Sequence, residues 1–367
     1  MKKALLTAGI AAAMLATSVS TYAAPSDYRV AMITDSGDIT DQSFNQTTYE
    51  SCMAFANENG VDFQYYKPDG DNDEARIASC DQAIADGYNV IVMPGYLFGA
   101  TIVEESPAYP DVKFIALDVS EGDIGGEYNT ENTFCAVYQE ELSGYMAGYA
   151  TVKLGYKHLG FLGGMSVPAV VRFGYGFVQG ANDAAVAMGI ENEVTVEYVY
   201  GNQFYGDADI TAYMDTWYSN NGVEAVFACG GGIFTSAAEA AAKVGGKVIG
   251  VDSDQSFVIN NYGEGMTITS AMKGLAPTVK TLLTETVLND NFAAYAGKIE
   301  NLGLVSENPA ENYVQLPVET TQFGEGFTEE DYNALVAAMF NGEVTVSNAI
   351  DAAPEVAITL NEYGNIK

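Results

Sequence analysis

The chain has 367 residues and carries 49 acidic against 15 basic side chains, a formal net charge of −34 at pH 7. Nucleic acid and anionic lipid both require a basic footprint, so this composition excludes proteins that bind either of them. The length predicts two domains of ordinary size, each able to bury a core.

The first 23 residues have the composition of a secretory signal peptide. Lys2 and Lys3 precede an apolar run at 4–16, and small or polar residues follow up to Ala23, where we expect cleavage. The run is too short for a membrane-spanning helix, and no later stretch approaches ~18 uninterrupted apolar residues. Because no cysteine lies near the cleavage point, we expect a periplasmic or otherwise extracytoplasmic protein without a lipid anchor.

The most informative segment begins at the apolar run 30–33, which predicts the first strand. The loop after this run contains Asp41, Ser43, Phe44 and Asn45, and an amphipathic helix pattern follows directly. In an open α/β sheet, the loops at the carboxyl ends of the strands form the ligand crevice, so these side chains indicate a binding site. Asp41 or Ser43 could equally serve as the cap of the following helix, which leaves two interpretations open for each.

Strands and helices alternate along the rest of the chain in two similar series. Alternation at this spacing predicts two α/β lobes, each with a mostly parallel sheet and right-handed crossovers. The first lobe is predicted at 24–138 plus about 274–300 and the second at 139–273 plus about 301–350, with a tail at 351–367 that frays near its end. The predicted strands are 30–33, 61–66, 90–94, 113–117, 158–162, 195–200, 225–228, 247–251 and 266–270, and the longer helices are 43–59, 73–86, 139–154, 208–220 and 328–341.

Polar and glycine-rich loops follow the strands of both predicted lobes. If the lobes face each other across a cleft, these loops meet at one ligand. Glycines such as Gly230 allow the backbone to approach a ligand, and aromatic side chains offer rings for stacking. Taken alone, the run at 230–232 is typical of a tight strand-to-helix turn, and only its place in the converging set indicates a cleft wall. The rings in these loops belong to Phe44, Tyr96, Phe204 and Tyr205, and Asp118 and Asp252 each end a predicted strand.

The sequence has no pattern typical of a catalytic or cofactor site. His158 is the only histidine, which excludes histidine triads and metal sites with several histidine ligands. Asp69, Asp71 and Asp73 have the first spacings of a calcium loop, but the glycine and the glutamate that such a loop requires are missing, so a capped helix start is predicted. No phosphate-binding glycine loop follows a strand. We therefore expect no catalytic residue, no metal and no cofactor.

The cysteines do not suggest a redox or metal site. A disulfide is chemically permitted in an exported chain, but none of the four cysteines has the spacing of a metal site. Cys229 ends an apolar strand and is predicted to be a buried free thiol. Cys52 and Cys80 lie on predicted helices that cover opposite faces of the sheet, which weakens that pairing. The pairing of Cys52, Cys80, Cys135 and Cys229 stays open.

Several motifs, in one order along the chain, resemble the basic membrane protein family. Members of this family are substrate-binding proteins of ABC importers, with purine nucleoside receptors among them. The resemblance runs from about residue 28 to 275 and returns weakly near the end of the chain. The motifs are GDITDQSFNQ at 37–46, FIALD at 114–118, EELSGYMAG at 140–148, GFLGG at 160–164, FGYGFVQG at 173–180 and IGVDSDQ at 249–255.

The resemblance implies a type I periplasmic-binding-protein fold with two Rossmann-like lobes joined by crossover hinge segments. It implies a purine base between two rings that match Phe44 and Phe204, and ribose hydroxyls held by residues that match Asp252 and Lys273. It also implies that Asp and Asn side chains contact the edge of the base, for which Asp41, Asn45 and Asp118 are the candidates. A solvated lysine is the alternative for Lys273. The implied partners are a nucleoside such as guanosine, inosine or adenosine and an ABC transporter permease, and a monomer is expected. The candidate ligand-binding residues are Asp41, Phe44, Asn45, Asp118, Phe204, Gly230, Asp252 and Lys273.

Other functions stay open at this point. A binder of another small hydroxylated molecule, such as a sugar, would also use carboxylates and stacking rings. A sensor would pass its ligand-bound state to a membrane receptor and not to a permease. A nucleoside hydrolase is a further alternative, in which Asp35, Asp38 and Asp41 would hold a metal.

Overall fold

The computed structural model describes residues 27–367, which form two α/β lobes built on one sheet each. The two-lobe fold that the sequence predicts is thus confirmed. The predicted signal peptide lies outside the described residues. In the part of the chain that is described, no helix has both the length and the apolar character needed to cross a membrane.

The first sheet has six strands that all pair in parallel. They are β1 (Arg29–Ile33), β2 (Asp62–Tyr66), β3 (Val90–Pro94), β4 (Lys113–Leu117), β5 (Thr133–Tyr138) and β11 (Ile299–Leu302). Their order across the sheet is β11, β5, β4, β3, β1, β2. The chain direction across the sheet therefore reverses between β1 and β3, and ligands bind at such a switch point in open α/β sheets.

The second sheet repeats this arrangement with seven strands. They are β6 (His158–Gly163), β7 (Thr195–Tyr200), β8 (Ala225–Cys229), β9 (Lys247–Asp252), β10 (Thr267–Lys273), β12 (Val314–Gln315) and β13 (Thr359–Asn365). The order is β12, β10, β9, β8, β6, β7, β13, and only β12 pairs antiparallel. Here the switch point lies between β6 and β8.

Helices cover both faces of each sheet. In the first lobe, α1 and α10 share one apolar core with the sheet, and α2 and α3 share the core on the opposite face. This placement explains why β3 and β8 read as continuous apolar runs, since every residue in both strands is buried. The helices are α1 (Phe44–Asn59), α2 (Asp73–Ala85), α3 (Gly99–Ala108), α4 (Glu121–Ile124), α5 (Glu140–Lys153), α6 (Pro168–Met188), α7 (Ala208–Thr216), α8 (Phe234–Ala242), α9 (Ser256–Ile259), α10 (Leu275–Leu283) and α11 (Glu329–Phe340).

Helices α5 and α6 pack closely because glycines face the backbone of the opposite helix. A Cβ atom at Gly144 would lie 2.2 Å from the carbonyl oxygen of Phe173, and one at Gly180 would lie 2.0 Å from that of Tyr145. Real Cβ atoms do not come this close, so only glycine fits here. The motifs at 140–148 and 173–180 therefore serve helix packing, and this packing fixes the start of α6 at the cleft.

The chain passes between the sheets three times. It crosses after β5, after β10 and between β11 and β12, as the sheet membership of these strands shows. Strand β10 belongs to the second sheet, whereas α10, which follows it directly, packs against α1 in the first lobe. Segments far apart in sequence therefore join the lobes as hinges.

Two expectations need correction. The end of the chain was expected to fray, but β13 pairs with β7 from Thr359↔Thr195 to Asn365↔Tyr200. Its polar composition suits an edge strand whose side chains bond to Glu197, which composition alone does not reveal. The predicted helix 208–220 ends as an α-helix at Thr216 and continues as a π-helical turn.

The cysteines form no disulfide in the described chain. All four are buried and free, as predicted for Cys229. Cys52 and Cys80 lie in the cores on opposite faces of the first sheet, in agreement with the predicted helix placement.

Candidate ligand-binding cleft

A cavity of about 760 Å³ lies between the lobes, at the loops that follow the strands of both sheets. Its volume falls in the range of small-molecule sites. The eight residues that the sequence predicts for ligand binding all line this cavity. They are Asp41, Phe44, Asn45, Asp118, Phe204, Gly230, Asp252 and Lys273.

Asp41 supports the start of α1. Its carboxylate accepts hydrogen bonds from the backbone N–H groups of Ser43 (2.9 Å), Asn45 (2.9 Å) and Gln46 (3.1 Å), and from Asn45 Nδ2 (3.2 Å). These N–H groups have no partner inside the helix, so the carboxylate satisfies them. Of the two interpretations left open for Asp41, helix capping is therefore realised, and four bonds leave its oxygens little capacity for a ligand.

Ser43 has a different role. It stands at the N-cap position directly before α1, but its side chain makes no capping bond. The hydroxyl instead donates to Asp252 Oδ2 across the cleft at 2.6 Å, and both residues are buried. Ser43 therefore connects the first lobe to the second.

Asn45 is held in one orientation by Asp35. The Asn45 Nδ2 atom donates to Asp35 Oδ1 at 3.0 Å, while Asn45 Oδ1 is buried without a partner among the described residues. Burial raises the pKa of Asp35 to about 6, although Gly37 N–H and Asn45 donate to it and act in the opposite direction. A buried acceptor without a partner costs free energy, so Asn45 Oδ1 is an unused acceptor in the cavity wall.

Lys273 lies at the buried end of the cavity in a network of charges. Its Nζ atom donates to Asp118 Oδ2 at 2.5 Å and lies 3.1 Å from Glu140 Oε1. Arg172 Nε donates to Glu140 Oε2 at 2.6 Å. The Lys273 side chain is 3% exposed, so the alternative of a solvated lysine is wrong.

The network contains more negative than positive charge. Burial alone would lower the pKa of Lys273, but the carboxylates of Asp118, Glu140 and Asp252 outweigh it and raise the pKa. Burial raises the pKa of Asp118 to about 6 against the opposing effect of Lys273. Burial would likewise raise the pKa of Glu140, but Lys273 and Arg172 lower it. Lys273 is therefore a permanently charged group that is buried from water among carboxylates.

Glu140 and Arg172 are not among the residues predicted from the sequence to form the site. Glu140 lies in the motif at 140–148, and Arg172 is one of the few cations, directly before the motif at 173–180. Both signals were visible in the sequence. Only the fold shows that the start of α5, the first turns of α6 and the end of β10 meet at one point.

Strained backbone marks the cavity wall. Among the described residues, five that are not glycine have a positive φ, and four of them line the cavity. Such conformations cost free energy and concentrate at functional sites. Asp118 has φ 59° and Asp252 has φ 63°, and aspartate tolerates this region better than most residues. The four are Gln42, Asp118, Asn202 and Asp252.

Aromatic rings come from both lobes. Phe204 lies against Gly164 and Gly230, since a Cβ at these positions would lie 2.5 Å and 3.2 Å from its Cδ1 atom. Gly230 therefore gives room to the ring and also to the backbone of Gly164, which a Cβ would approach to 2.8 Å. The ring centroids of Phe44 and Phe173 lie 5.2 Å and 5.4 Å from Lys273 Nζ. Phe173 is an additional ring that was not predicted from the sequence.

The lobes are closed over the cavity. Ser43 donates to Asp252, and Lys273 of the second sheet donates to Asp118 of the first lobe. Gln255 Nε2 also donates across the cleft to the backbone oxygen of Gln42 at 3.0 Å. Hinge closure of this kind encloses a ligand between two lobes.

The remaining acidic loops form other structures. Arg76 is paired with Asp71 and Asp73 at 2.9 Å each, and Asn72 caps α2, so the capped helix start is confirmed. Asp38 is paired with Lys67 at 2.6 Å. Within residues 27–367, no three potential ligands converge on a possible metal position.

The chain is similar to known substrate-binding proteins of ABC transporters. The family model Bmp, described as ABC transporter substrate-binding protein PnrA-like, matches residues 28–311. The ABC transporter nucleoside-binding protein BmpA of Lactococcus lactis subsp. cremoris is 26% identical over 245 residues, which are 63% of this chain and 66% of that protein. Basic membrane protein B of Borreliella afzelii is 26% identical over 285 residues, or 76% of this chain and 79% of that protein.

Solved structures show the same fold. An ABC transporter solute-binding protein from Aeropyrum pernix K1 superimposes with a TM-score of 0.66 at 23% sequence identity. The match covers 87% of each chain. At this identity the likeness concerns the fold alone.

Proposed function

The chain belongs to the Bmp family of PnrA-like ABC transporter substrate-binding proteins, and on that premise we propose that its cavity binds a purine nucleoside for delivery to an ABC permease. The family match covers the first lobe and, in the second lobe, the strands from β6 to β10. The family membership leaves three points open, and the proposal concerns these: the ligand is a purine nucleoside, it is delivered to a permease, and it undergoes no reaction on the protein.

One observation carries the proposal: a ring from each lobe lines the same closed cavity. Phe44 belongs to the first lobe and Phe204 to the second. A flat heterocycle between two rings stacks on both faces, and each base–ring stack contributes about 1–3 kcal/mol. The rings can enclose a base only when the lobes close, so ligand binding and closure are one event.

Polar groups around the rings suit the rest of a nucleoside. Asn45 Oδ1 and Asp118 Oδ1 are buried acceptors without a partner among the described residues, and they suit N–H donors on the edge of a base. Asp252 uses Oδ2 for Ser43, and we assign its Oδ1, together with Lys273, to the ribose hydroxyls. A carboxylate accepts such hydroxyl donors in strong hydrogen bonds.

The relative from Lactococcus supports this choice of ligand, because that protein is named for nucleoside binding. The alternative of a nucleoside hydrolase finds less support. Asp35, Asp38 and Asp41, which would hold its metal, are engaged separately by Asn45, Lys67 and the start of α1. We therefore propose a binding protein that performs no reaction.

The proposed site of action is outside the cytoplasm. The signal-peptide pattern at 1–23 and the family of extracytoplasmic binding proteins both support this placement. We further propose that the protein acts as a monomer, since one chain supplies every residue of the cavity.

Calorimetric titration with guanosine, inosine, adenosine, the free bases and ribose tests the function. We expect heat from at least one purine nucleoside and little from ribose. A ligand at ~100 times its dissociation constant stabilises the folded protein by about 2.7 kcal/mol, so thermal unfolding provides a second measurement. The proposal is wrong if no nucleoside produces heat or a thermal shift, and binding of ribose or another sugar alone would support the sugar alternative.

A separate assay tests for a reaction. The protein is incubated with inosine and calcium, and released ribose is measured. No release above that of heat-denatured protein is expected. Turnover would identify a nucleoside hydrolase and contradict the proposal.

A further inference from the structure

Residues 359–367 lie outside the part of the chain that matches the family model, yet they end beside the cavity. Strand β13 runs parallel to β7, from Thr359 opposite Thr195 to Asn365 opposite Tyr200. Ile366 N–H then donates to the carbonyl of Tyr200 at 2.8 Å. Because parallel strands end at the same edge of a sheet, β13 delivers the residues that follow it to the ligand side of the second lobe.

Lys367 reaches the loop that follows β7. Its ammonium donates to Gln203 Oε1 at 3.3 Å and to the carboxylate of Asp207. Gln203 Nε2 donates in turn to Asp207 Oδ2 and to the backbone oxygen of Tyr205, at 2.9 Å each. Lys367, Gln203 and Asp207 therefore form one network, which closes the loop 201–207 across its base.

Asp207 also connects this network to α7. Its Oδ1 accepts from the backbone N–H groups of Asp209 and Ile210 at 3.0 Å each, which caps the helix. The hydrogen bond from Lys367 lowers the pKa of Asp207 to about 2. The carboxylate is therefore ionised at any physiological pH, and the contact with Lys367 is an ion pair.

The loop that this network holds carries part of the cavity wall. Asn202, Gln203, Phe204 and Tyr205 all line the cavity. Asn202 has a positive φ of 61°, a conformation that costs free energy although asparagine adopts it more readily than most residues. The position of the Phe204 ring therefore depends on restraints on the loop backbone, and Lys367 supplies one of them.

The middle of β13 is held by a second network. Glu197 on β7 is buried, and its Oε2 accepts from Tyr363 Oη at 2.6 Å and from Asn361 Nδ2 at 3.2 Å. Its Oε1 lies 2.9 Å from Nε2 of His158. Since a shift by one residue would turn Tyr363 away from Glu197, these bonds fix the register of β13 and so the place where Lys367 arrives.

We propose that the segment 359–367 is a brace for the ligand loop 201–207, with Lys367 as the positioning residue that holds Gln203 and Asp207. The brace limits the motion of the loop that carries Phe204 and so slows the release of the ligand. This effect on ligand release rests on the proposed nucleoside function, whereas the restraint on the loop does not.

The first test uses the protein without ligand. Hydrogen exchange of the amides in 201–207 is compared between the natural chain, Lys367→Ala and Lys367→Arg. Loss of one partly exposed ion pair should speed exchange about 2- to 5-fold in Lys367→Ala, and Lys367→Arg should restore the slow rate. Unchanged exchange in Lys367→Ala would overturn the proposal.

A matched control separates the brace from a general loss of surface charge. Lys298 forms an exposed pair with Glu300 at 3.4 Å in the first lobe. Lys298→Ala should leave exchange in 201–207 unchanged, and an equal effect of Lys298→Ala would overturn the proposal. Trp217, the only tryptophan, lies 6.4 Å from Tyr363 between ring centroids, so unchanged tryptophan fluorescence shows that β13 remains docked in each variant.

The second test measures ligand release. In stopped-flow experiments with guanosine, Lys367→Ala should release the ligand about 2- to 5-fold faster than the natural chain, with little change in the association rate. Faster exchange with unchanged release would overturn the effect on the ligand. If the natural chain binds no nucleoside, the exchange experiment still decides whether the brace exists, and the proposed nucleoside function fails by itself.

Discussion

Asp118 in the first lobe and Asp252 in the second occupy matching places, each at the end of the fourth strand of its lobe. Their φ values are 59° and 63°, so the backbone turns in the same way at both. Asp118 accepts from Lys273 at 2.5 Å, and Asp252 accepts from Ser43 at 2.6 Å. In both cases the donor comes from the other lobe.

The two contacts differ in chemistry. The aspartate of the first lobe, Asp118, contacts a buried ammonium that lies between two carboxylates. The aspartate of the second lobe, Asp252, contacts a neutral hydroxyl. Removing one partner of a buried ion pair leaves an uncompensated charge, whereas removing a hydroxyl leaves one weaker bond unmade. The two lobes thus share the same backbone turn at the aspartate. They differ in the partner of that aspartate, which is a charged lysine in one case and a neutral serine in the other.

The largest effect is expected at the buried cation. Lys273→Met should lower the free energy of unfolding by about 3–5 kcal/mol, because Asp118 and Glu140 then lose their shared counter-charge. Urea denaturation measures this loss. Lys280→Met, which removes an exposed lysine of α10, is the matched control and should change stability by less than about 0.5 kcal/mol. A loss below about 1 kcal/mol for Lys273→Met would show that the folded protein does not depend on Lys273 to compensate the charges of Asp118 and Glu140.

The next effect concerns the aspartate of the second lobe. If Asp252 binds the ribose, Asp252→Ala should weaken guanosine about 10- to 150-fold and leave 2′,3′-dideoxyguanosine much less affected, because only the former can donate to a carboxylate there. Calorimetric titration of both ligands measures the difference. Equal weakening of both ligands would place Asp252 at the base or in the hinge.

Ser43→Ala is the control for Asp252. It removes one hydrogen bond between the lobes but keeps the carboxylate. Both nucleosides should therefore weaken by a similar factor in this variant. A preference for either ligand would mean that Ser43 itself contacts the sugar.

The smallest of the three effects compares the two rings. Phe204→Ala should weaken every purine ligand about 5- to 150-fold with little preference among purines, because stacking depends on the face of the base and not on its edge. Phe44→Ala tests the ring of the other lobe in the same assay. Phe257, which is 60% exposed and does not line the cavity, provides the control Phe257→Ala. A change in preference among purines would show that Phe204 restricts the edge of the base.

Combining Phe204→Ala with Lys367→Ala tests whether the two residues act through each other. If the brace acts through the position of the Phe204 ring, Lys367→Ala should have little further effect in a chain that already carries Phe204→Ala. Residues that act through one another show such non-additive effects. The double variant therefore measures how far the loop restraint and the stacking ring are coupled.

Local pattern in the sequence was sufficient for the two-lobe α/β architecture, although not for every strand. Parallel strands buried on both faces need continuous apolar runs, and each helix needs an apolar stripe, so β3, β8 and the alternation around them could be predicted. Strand β5 was not predicted, although it is mostly buried and apolar. Strand β13 was missed because an edge strand is stabilised by its neighbour and needs no apolar pattern of its own.

Part of the cavity lining was predictable from the position of residues relative to the strand ends. Asp118 and Asp252 lie at the carboxyl ends of strands, and Phe44 and Asn45 begin the helix after the loop that follows β1, where the topology of an open sheet places ligands. The use of each side chain could not be predicted. Asp41 lies only four residues before Asn45, yet its oxygens satisfy the start of a helix, and only the hydrogen bonds show the difference.

The amino-acid sequence by itself determined the two-lobe α/β architecture and the set of loops that line the cavity, because periodicity and strand ends are local properties of the chain. Only the tertiary structure decided which charges meet. Glu140, Arg172 and Lys273 lie on three different elements, and Lys367 lies far along the chain from Asp207. Coulomb interactions and hydrogen bonds depend on distance in space, and the packing of hinges, helices and edge strands sets that distance.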